Sequence, residues 1–231
     1  MCFYIQIAGG INRLIETEVV KRALMWDPCL LHANERTYII YFLFCDNEGL
    51  STDTTSPDFD GHIGKMFKKG LKLEPIIIRE YNPFADCNFE KLPKDLYDAL
   101  NHDYKLLHDL ILATVSGDFP EELALRTIGH PHPARWVTPA SNTIRVWHQT
   151  KEPTVWHTNL VKYTINVYWK VISTIKLHPH ITNGSRHIFE LFRLARDFFS
   201  DKEGFDLFKH SYFNNNYFNH IGKKLKKHDI F

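Results

Sequence analysis

The stretch "DLYDALNHDYKLLHDLILATVSG", residues 95–117, decides the fold class of this chain. Its apolar side chains recur every three or four positions, which is the period of a helix with one buried face. The residues that form this pattern are Leu96, Leu100, Leu107, Leu110 and Ile111. Gly117 follows the last periodic residue and is predicted to end the helix as a C-cap. The centre of the chain is therefore predicted to be helical.

Helical patterns continue downstream of this stretch. The predicted helices occupy 120–126, 138–149, 153–177 and 183–199. Pro120 is suited to the first turn of its helix, and Asn183 or Ser185 is expected to cap the last helix. The final residues, 201–231, are rich in Asn, aromatic residues and Lys, and we predict a poorly ordered tail there.

Upstream of residue 95 the pattern is mixed. Residues 9–25 have helical spacing, 46–62 have the polar composition of a loop, and 61–73 contain a short predicted helix. The apolar run from Tyr38 to Phe44 fits a buried strand or a buried helix, and its length favours a helix. The β-branched residues 76–78 predict a short strand or an extended segment.

The composition is that of a soluble globular protein. Of 231 residues, 44% are hydrophobic, and the net charge of +1 gives no overall attraction to nucleic acid or membrane. No run approaches the roughly 20 apolar residues that span a bilayer. The four cysteines, Cys2, Cys29, Cys45 and Cys87, have irregular spacing, which argues against a secreted disulfide framework and favours an intracellular compartment.

A metal site is one hypothesis for the C-x-x-H pair in "CLLHANE", residues 29–35. Structural zinc needs four ligands, so Cys29 and His32 would require a second pair, for which His130 and His132 are available. The alternative is that Cys29 is a small buried residue and His32 a core or helix-start histidine. A nucleophilic Cys-His pair is a further alternative, but no nucleophile signature surrounds Cys29.

Three other motifs give weaker indications of a functional site. "GHIGK", residues 61–65, is too short for a phosphate loop and lacks its Ser or Thr. The basic runs 65–72 and 223–227 fit nucleic-acid backbone or a solvated surface. Arg135 and Trp136 in "ARW" are suited to holding a phosphate and stacking on a base, whereas the alternative makes Trp136 a core anchor.

Two of these motifs together resemble the hAT superfamily of DNA transposases, and more narrowly a group of transposon-derived invertebrate proteins. "CLLHANE" and "ARWVTPASNTIRVW", residues 134–147, occur in the family's order. Further parallels are "GGINRLIE", "DGHIGKMF", the layout of residues 96–138, "NGSRHIFELF" and "NNNYFNH". The resemblance implies a ribonuclease-H-like α/β core with a helical insertion. It also implies an Asp-Asp-Glu triad that binds Mg²⁺ or Mn²⁺ for strand transfer.

The chain departs from that family at its catalytic acids. The family's second aspartate precedes the C-x-x-H motif, but no Asp occurs before Asp27. Other acids lie in the polar loop or, like Glu190, in a predicted helix, and none matches a catalytic motif. Only Cys29, His32, Arg135 and Trp136 carry over from the family. We therefore expect a truncated remnant without transposase activity and without a bound cofactor.

These observations give one fold prediction and three functions. The fold class is mostly α with a small α/β part. Residues 1–80 are a partial ribonuclease-H-like segment, 81–200 a helical insertion-like region and 201–231 the tail. The first function is an inactive transposase-derived protein. The alternatives are a non-catalytic module that binds DNA or self-associates, and a zinc-binding protein that uses Cys29, His32, His130 and His132.

Overall fold

The computed structural model describes residues 30–48, 61–68, 76–77, 79–120, 122–123, 126, 136–178 and 183–199. This part of the chain is mostly helical, as predicted, and it contains no strand. The predicted helix 9–25, most of the predicted loop 46–62, residues 121 and 124–125 of the predicted helix 120–126, and the tail 201–231 lie outside the described residues.

Helix α1, Leu30–Asp46, resolves the ambiguity of the first apolar run in favour of a helix. Almost every side chain from Thr37 to Asp46 is buried, which is typical of a helix enclosed by other helices. Helix α2, His62–Lys68, packs beside it. The Asp46 carboxylate at the end of α1 accepts hydrogen bonds from Gly61 N and Gly64 N, at 3.1 and 2.7 Å, and so caps α2. A Cβ atom at Gly61 would lie 2.2 Å from the Asp46 carbonyl oxygen, so this approach requires glycine.

The described residues between α2 and the central helices, 76–77 and 79–93, form turns, bends and irregular backbone. Ile76 and Ile77 form no strand among the described residues, because Ile77 N bonds to the His148 carbonyl at a helix end (2.9 Å). The strand alternative is therefore wrong for these two residues. The expected small α/β part does not occur in the described segments.

The opening stretch forms two helices, α3, Lys94–Asp98, and α4, His102–Ser116. Asn101 interrupts the predicted single helix, since its backbone is extended and its side chain accepts from Tyr104 N as an N-cap. Gly117 ends α4 in the left-handed conformation, with φ of 77°, which confirms the predicted C-cap.

Helix α5, Val137–Gln149, packs against α4 and is buried along nearly its whole length. Helix α6, Val155–Tyr163, starts at the N-cap Thr154 and continues through a π-helical segment, Thr164–Trp169, into α7, Lys170–Leu177. In a π-helix each backbone N–H donates to the carbonyl five residues earlier instead of four, which leaves carbonyls available for side chains. Asn166 Nδ2 donates to the Lys162 carbonyl at 3.0 Å in this way.

Helix α8, Gly184–Phe199, completes the described core. Its buried residues follow helical spacing, and Arg193 on its outer side pairs with Glu190 and Asp197. Asn183 directly precedes the helix and donates to the His178 carbonyl. Helices α1, α6 and α8 meet in an aromatic cluster. The ring centroid of Tyr41 lies 4.8 Å from those of both Tyr163 and Phe199. No helix in these segments combines the length and the apolar character needed to cross a membrane.

Candidate functional site

The structure describes the side chain of only one of the residues that the sequence proposes for a site. Cys29, His130, His132 and Arg135 lie outside the described residues, and His32 lies in α1 without a described side chain. Their roles in zinc binding or DNA contact stay predictions. Within the described segments, no group of three or more His, Cys, Asp or Glu side chains is arranged to hold a metal ion.

Trp136 is the predicted site residue that the structure does place. It immediately precedes α5 and is 1% exposed. Its ring centroid lies 6.0 Å from that of Tyr38 and 5.8 Å from that of Phe42, both on α1. This is the core-anchor alternative, because a ring enclosed in this way offers no open face to a base. Stacking on DNA would require the indole to leave the core.

Asp46, which begins the predicted polar loop 46–62, and Glu190, in the predicted helix 183–199, both have structural roles. Both carboxylate oxygens of Asp46 bind backbone N–H groups of the α2 start. Burial raises the pKa of Asp46, and the bonds from Gly64, Gly61 and Ile63 offset only part of that effect. Glu190 accepts two hydrogen bonds from Arg193, at 2.6 and 2.9 Å, on the outer side of α8.

A denser group of ionisable side chains surrounds Asp109 on α4. The Tyr97 hydroxyl donates to this carboxylate at 3.0 Å, and Arg126 Nη1 donates at 2.9 Å. His108 Nδ1 lies 3.2 Å away. Burial acts to raise the pKa of Asp109, but hydrogen bonds from His108, Arg126 and Tyr97 outweigh it and lower the pKa. Asp109 is therefore an ionised carboxylate whose charge is matched by Arg126.

Arg145 on α5 is linked to the same group through the backbone. Its Nη1 donates to the Arg126 carbonyl at 2.7 Å. The residue is 1% exposed, yet its Nε and Nη2 donors have no hydrogen-bond partner among the described residues. Burial lowers the pKa of Arg145, and no acid is among the causes. We call Asp109, Arg126 and Arg145 the arginine cluster. It contains one balanced ion pair and one buried guanidinium to which the described residues offer no counter-charge.

Another unsatisfied group lies one helical turn before Arg145. The Oδ1 atom of Asn142 is buried and accepts no hydrogen bond from the described part of the chain. Residues three apart on a helix are neighbours on one face, about 5–6 Å apart at Cβ. One face of α5 therefore presents two unused donors and one unused acceptor. Unsatisfied buried groups are rare in folded proteins, and each calls for a physical explanation.

Two buried histidines, His148 on α5 and His157 on α6, are neutral and structural. Burial lowers the pKa of His148 to about 3 and that of His157 to about 4. His157 Nε2 donates to the Thr143 carbonyl at 2.9 Å. His148 Nε2 bonds to Thr114 Oγ1 at 3.0 Å, and this hydroxyl itself donates to the Leu110 carbonyl. Neither imidazole adds positive charge to the arginine cluster at neutral pH.

Sequence reasoning missed Arg145, although a signal was present. The helix "VTPASNTIRVWHQ" has no acid or lysine and only one arginine. A helix with so few charges is typically buried on all sides, so its single arginine is then buried as well. Helical periodicity alone did not reveal this, because it identifies one buried face and not a wholly enclosed helix.

Comparison of the chain with protein-family models, with curated proteins and with solved structures gives no match. The hAT-like resemblance therefore stays a prediction from the motifs, and the function rests on the residues themselves.

Proposed function

We propose that this chain is a non-catalytic helical module of hAT-like transposase descent that binds DNA. In this proposal the helices from residue 94 onward correspond to the family's helical insertion. The ribonuclease-H-like part concerns residues 1–80. The descent is supported by the order of the "CLLHANE" and "ARWVTPASNTIRVW" motifs.

A non-catalytic role is supported chiefly by the engagement of Asp46. A carboxylate that holds Mg²⁺ or Mn²⁺ uses its oxygens as metal ligands. Both oxygens of Asp46 instead cap α2. Glu190 is likewise committed to Arg193. These acids contribute to the fold, and a cleavage reaction would have to draw its metal ligands from elsewhere in the chain.

DNA is the favoured partner because positive charge is concentrated locally although the whole chain is nearly neutral. The basic runs 65–72 and 223–227 each contain four lysines. The arginine cluster adds a guanidinium that no acid of the described segments neutralises. Lysine and arginine side chains that neutralise DNA phosphates release counterions, so such binding weakens as salt rises.

The proposal is tested by titrating a 30-base-pair duplex with the full chain at several KCl concentrations between 50 and 300 mM. We expect an association constant that falls linearly with salt on logarithmic axes. Alanine at Lys223, Lys224, Lys226 and Lys227 should reduce the slope. Absence of binding at 50 mM KCl would remove DNA as the partner, and a dimer in light scattering would then support the self-association alternative.

Catalysis is tested separately on supercoiled plasmid with Mg²⁺ or Mn²⁺. We expect no nicking above a buffer control. Metal-dependent nicking that Asp46→Asn or Glu190→Gln abolishes would contradict the non-catalytic proposal. Elemental analysis of the purified chain addresses the zinc alternative, which requires stoichiometric zinc that is lost when Cys29 and His130 are replaced.

A further inference from the structure

The uncompensated charge of Arg145 requires a partner that the described residues do not supply. Arg145 is 1% exposed, and two of its guanidinium nitrogens make no hydrogen bond within the described segments. A buried charge without a counter-charge is strongly unfavourable, and so is an unsatisfied buried donor. Asp109 does not solve this problem, because its carboxylate is engaged with Arg126, Tyr97 and His108.

We propose that Arg145 is the anchor of a binding site for a terminal phosphate group, with Asn142 as its second contact. The site lies on α5 next to the Arg126 carbonyl. It deepens the DNA-binding proposal and rests on it only for the source of the phosphate, either a DNA end or a small phosphate compound.

The donor pattern of Arg145 fits a tetrahedral oxyanion. Nη1 is used by the Arg126 carbonyl, and the unused donors are Nε and Nη2. These two nitrogens form one edge of the planar guanidinium, and their N–H bonds are parallel. This is the edge that binds two oxygens of a phosphate or carboxylate at once.

Asn142 distinguishes a terminal phosphate from an ionised carboxylate. Its unused Oδ1 atom needs a hydrogen-bond donor, and a carboxylate has none to offer. A terminal phosphate has a second pKa of about 6, so part of the population retains a P–OH group near neutral pH. Such a group accepts from Arg145 and donates to Asn142. A phosphodiester within a DNA strand has no P–OH group.

Arg126 connects the buried guanidinium of Arg145 to a surface side chain. Its carbonyl contacts Arg145, and its side chain is 41% exposed. The guanidinium of Arg145 is thus one hydrogen bond away from a residue on the surface. Because Asp109 balances the charge of Arg126, the net attraction for an anion at this place comes from Arg145.

The site is tested with inorganic phosphate and the full chain. The melting temperature is measured in phosphate and in chloride at equal ionic strength. At about 100 times the dissociation constant we expect phosphate to raise it by roughly 5 °C. Arg145→Met should abolish this rise, and its own melting temperature in chloride should equal or exceed that of the native chain, because an unpaired buried charge is gone. Arg196→Met on the exposed side of α8 is the matched control and should keep the rise.

An equal phosphate response in Arg145→Met and the native chain would overturn the site, because the response would then be a general salt effect. Arg145→Lys provides a second variant that keeps the charge and removes the parallel donor edge, and it should weaken the response. Calorimetric titration of the native chain with phosphate is independent of any variant. No saturable heat in that titration would also overturn the site.

The source of the phosphate is decided with duplexes that carry a 5′-phosphate or a 5′-hydroxyl. Tighter binding of the phosphorylated duplex, lost in Arg145→Met, assigns the site to DNA ends. Equal binding of both duplexes together with a phosphate-dependent melting shift assigns it to small phosphate compounds. DNA binding without any phosphate response would overturn the site and leave the proposed function intact. A phosphate response without DNA binding would leave the site intact and overturn DNA binding as the proposed function.

Discussion

The pKa values of Asp46 and Asp109 are displaced in opposite directions, although both carboxylates accept two or more hydrogen bonds. Asp46 is 2% exposed, and burial dominates its pKa. Asp109 is more accessible and bonds to an arginine, so the bonds dominate. The balance between desolvation and bonding at each carboxylate therefore sets how it affects stability as the pH changes.

For Asp46 we predict that ionisation costs stability. Its folded-state pKa is raised above the ordinary value of 3.8, so the folded chain retains a proton that the unfolded chain releases. The stability of the native chain relative to Asp46→Asn should be greatest below about pH 4 and should fall as the pH rises through the raised pKa. Urea unfolding of both chains between pH 4 and 7 measures this difference. A difference that grows with pH would contradict the prediction.

For Asp109 we predict the opposite dependence on pH. Its folded-state pKa is lowered, so its contribution is present above the ordinary value of 3.8 and is lost as the pH falls through the lowered pKa. Asp109→Asn should lower the unfolding free energy by about 1 kcal/mol at pH 7, a modest value because the pair is partly exposed. The loss should shrink below about pH 4 and in high salt. Urea midpoints from pH 3 to 7 check it, and an Asp109→Asn variant as stable as the native chain at pH 7 would contradict it.

The helices were predictable where the local sequence decides them. Asn101 and Gly117 bound α4 through local interactions, a side-chain cap and a left-handed backbone, and the glycine was identified from the sequence. The break at Asn101 was missed, because the apolar spacing runs through it from Leu100 to Leu107. Periodicity records which face is buried and does not register where a capping side chain stops the backbone bonds.

We predict that the two caps of α4 contribute similar amounts. Asn101→Ala removes the acceptor for Tyr104 N and should cost about 1 kcal/mol. Gly117→Ala places a Cβ in the left-handed conformation at φ of 77° and should also cost about 1 kcal/mol. Urea unfolding followed by circular dichroism measures both. His102→Ala, at the exposed neighbouring position, should stay within about 0.5 kcal/mol of the native chain; caps that cost no more than this control would refute the prediction.

The candidate site was not predictable because it depends on packing between helices. The sequence shows Arg145 and Asn142 as polar residues of an ordinary helix. Their significance comes from the enclosure of α5 by its neighbours and from the place of Arg126 beside it. Conversely, "ARW" suggested an exposed stacking residue, but the contacts of Trp136 with Tyr38 and Phe42 bury it. These contacts are between residues about a hundred positions apart in the sequence, so no local sequence pattern predicts them.

At the scale of the whole molecule, helices from both sides of residue 80 share one hydrophobic core. The hydroxyl groups of Tyr38 on α1 and Thr143 on α5 form a hydrogen bond of 3.1 Å. Asn34 Nδ2 on α1 donates to the Tyr168 carbonyl at 2.9 Å. Tyr41 joins α1 to α6 and α8 through ring contacts. Because these contacts cross between the first predicted segment and the second, the described helices stabilise one another.

We therefore predict that the described helices unfold in one cooperative transition. Tyr41 is 1% exposed within the aromatic cluster, whereas Tyr81 is 72% exposed, so the two tyrosines form a matched pair. Tyr41→Ala should cost roughly 3–5 kcal/mol through lost packing and cavity formation, and Tyr81→Ala should stay within about 0.5 kcal/mol of the native chain. Circular dichroism at 222 nm reports the helices, and tryptophan fluorescence reports Trp136, Trp147 and Trp169 in the core. Coincident transitions that shift together in Tyr41→Ala are the expected result. Separate transitions for the two probes, or a Tyr41→Ala variant that shifts only one of them, would show that the helices before and after residue 80 fold independently.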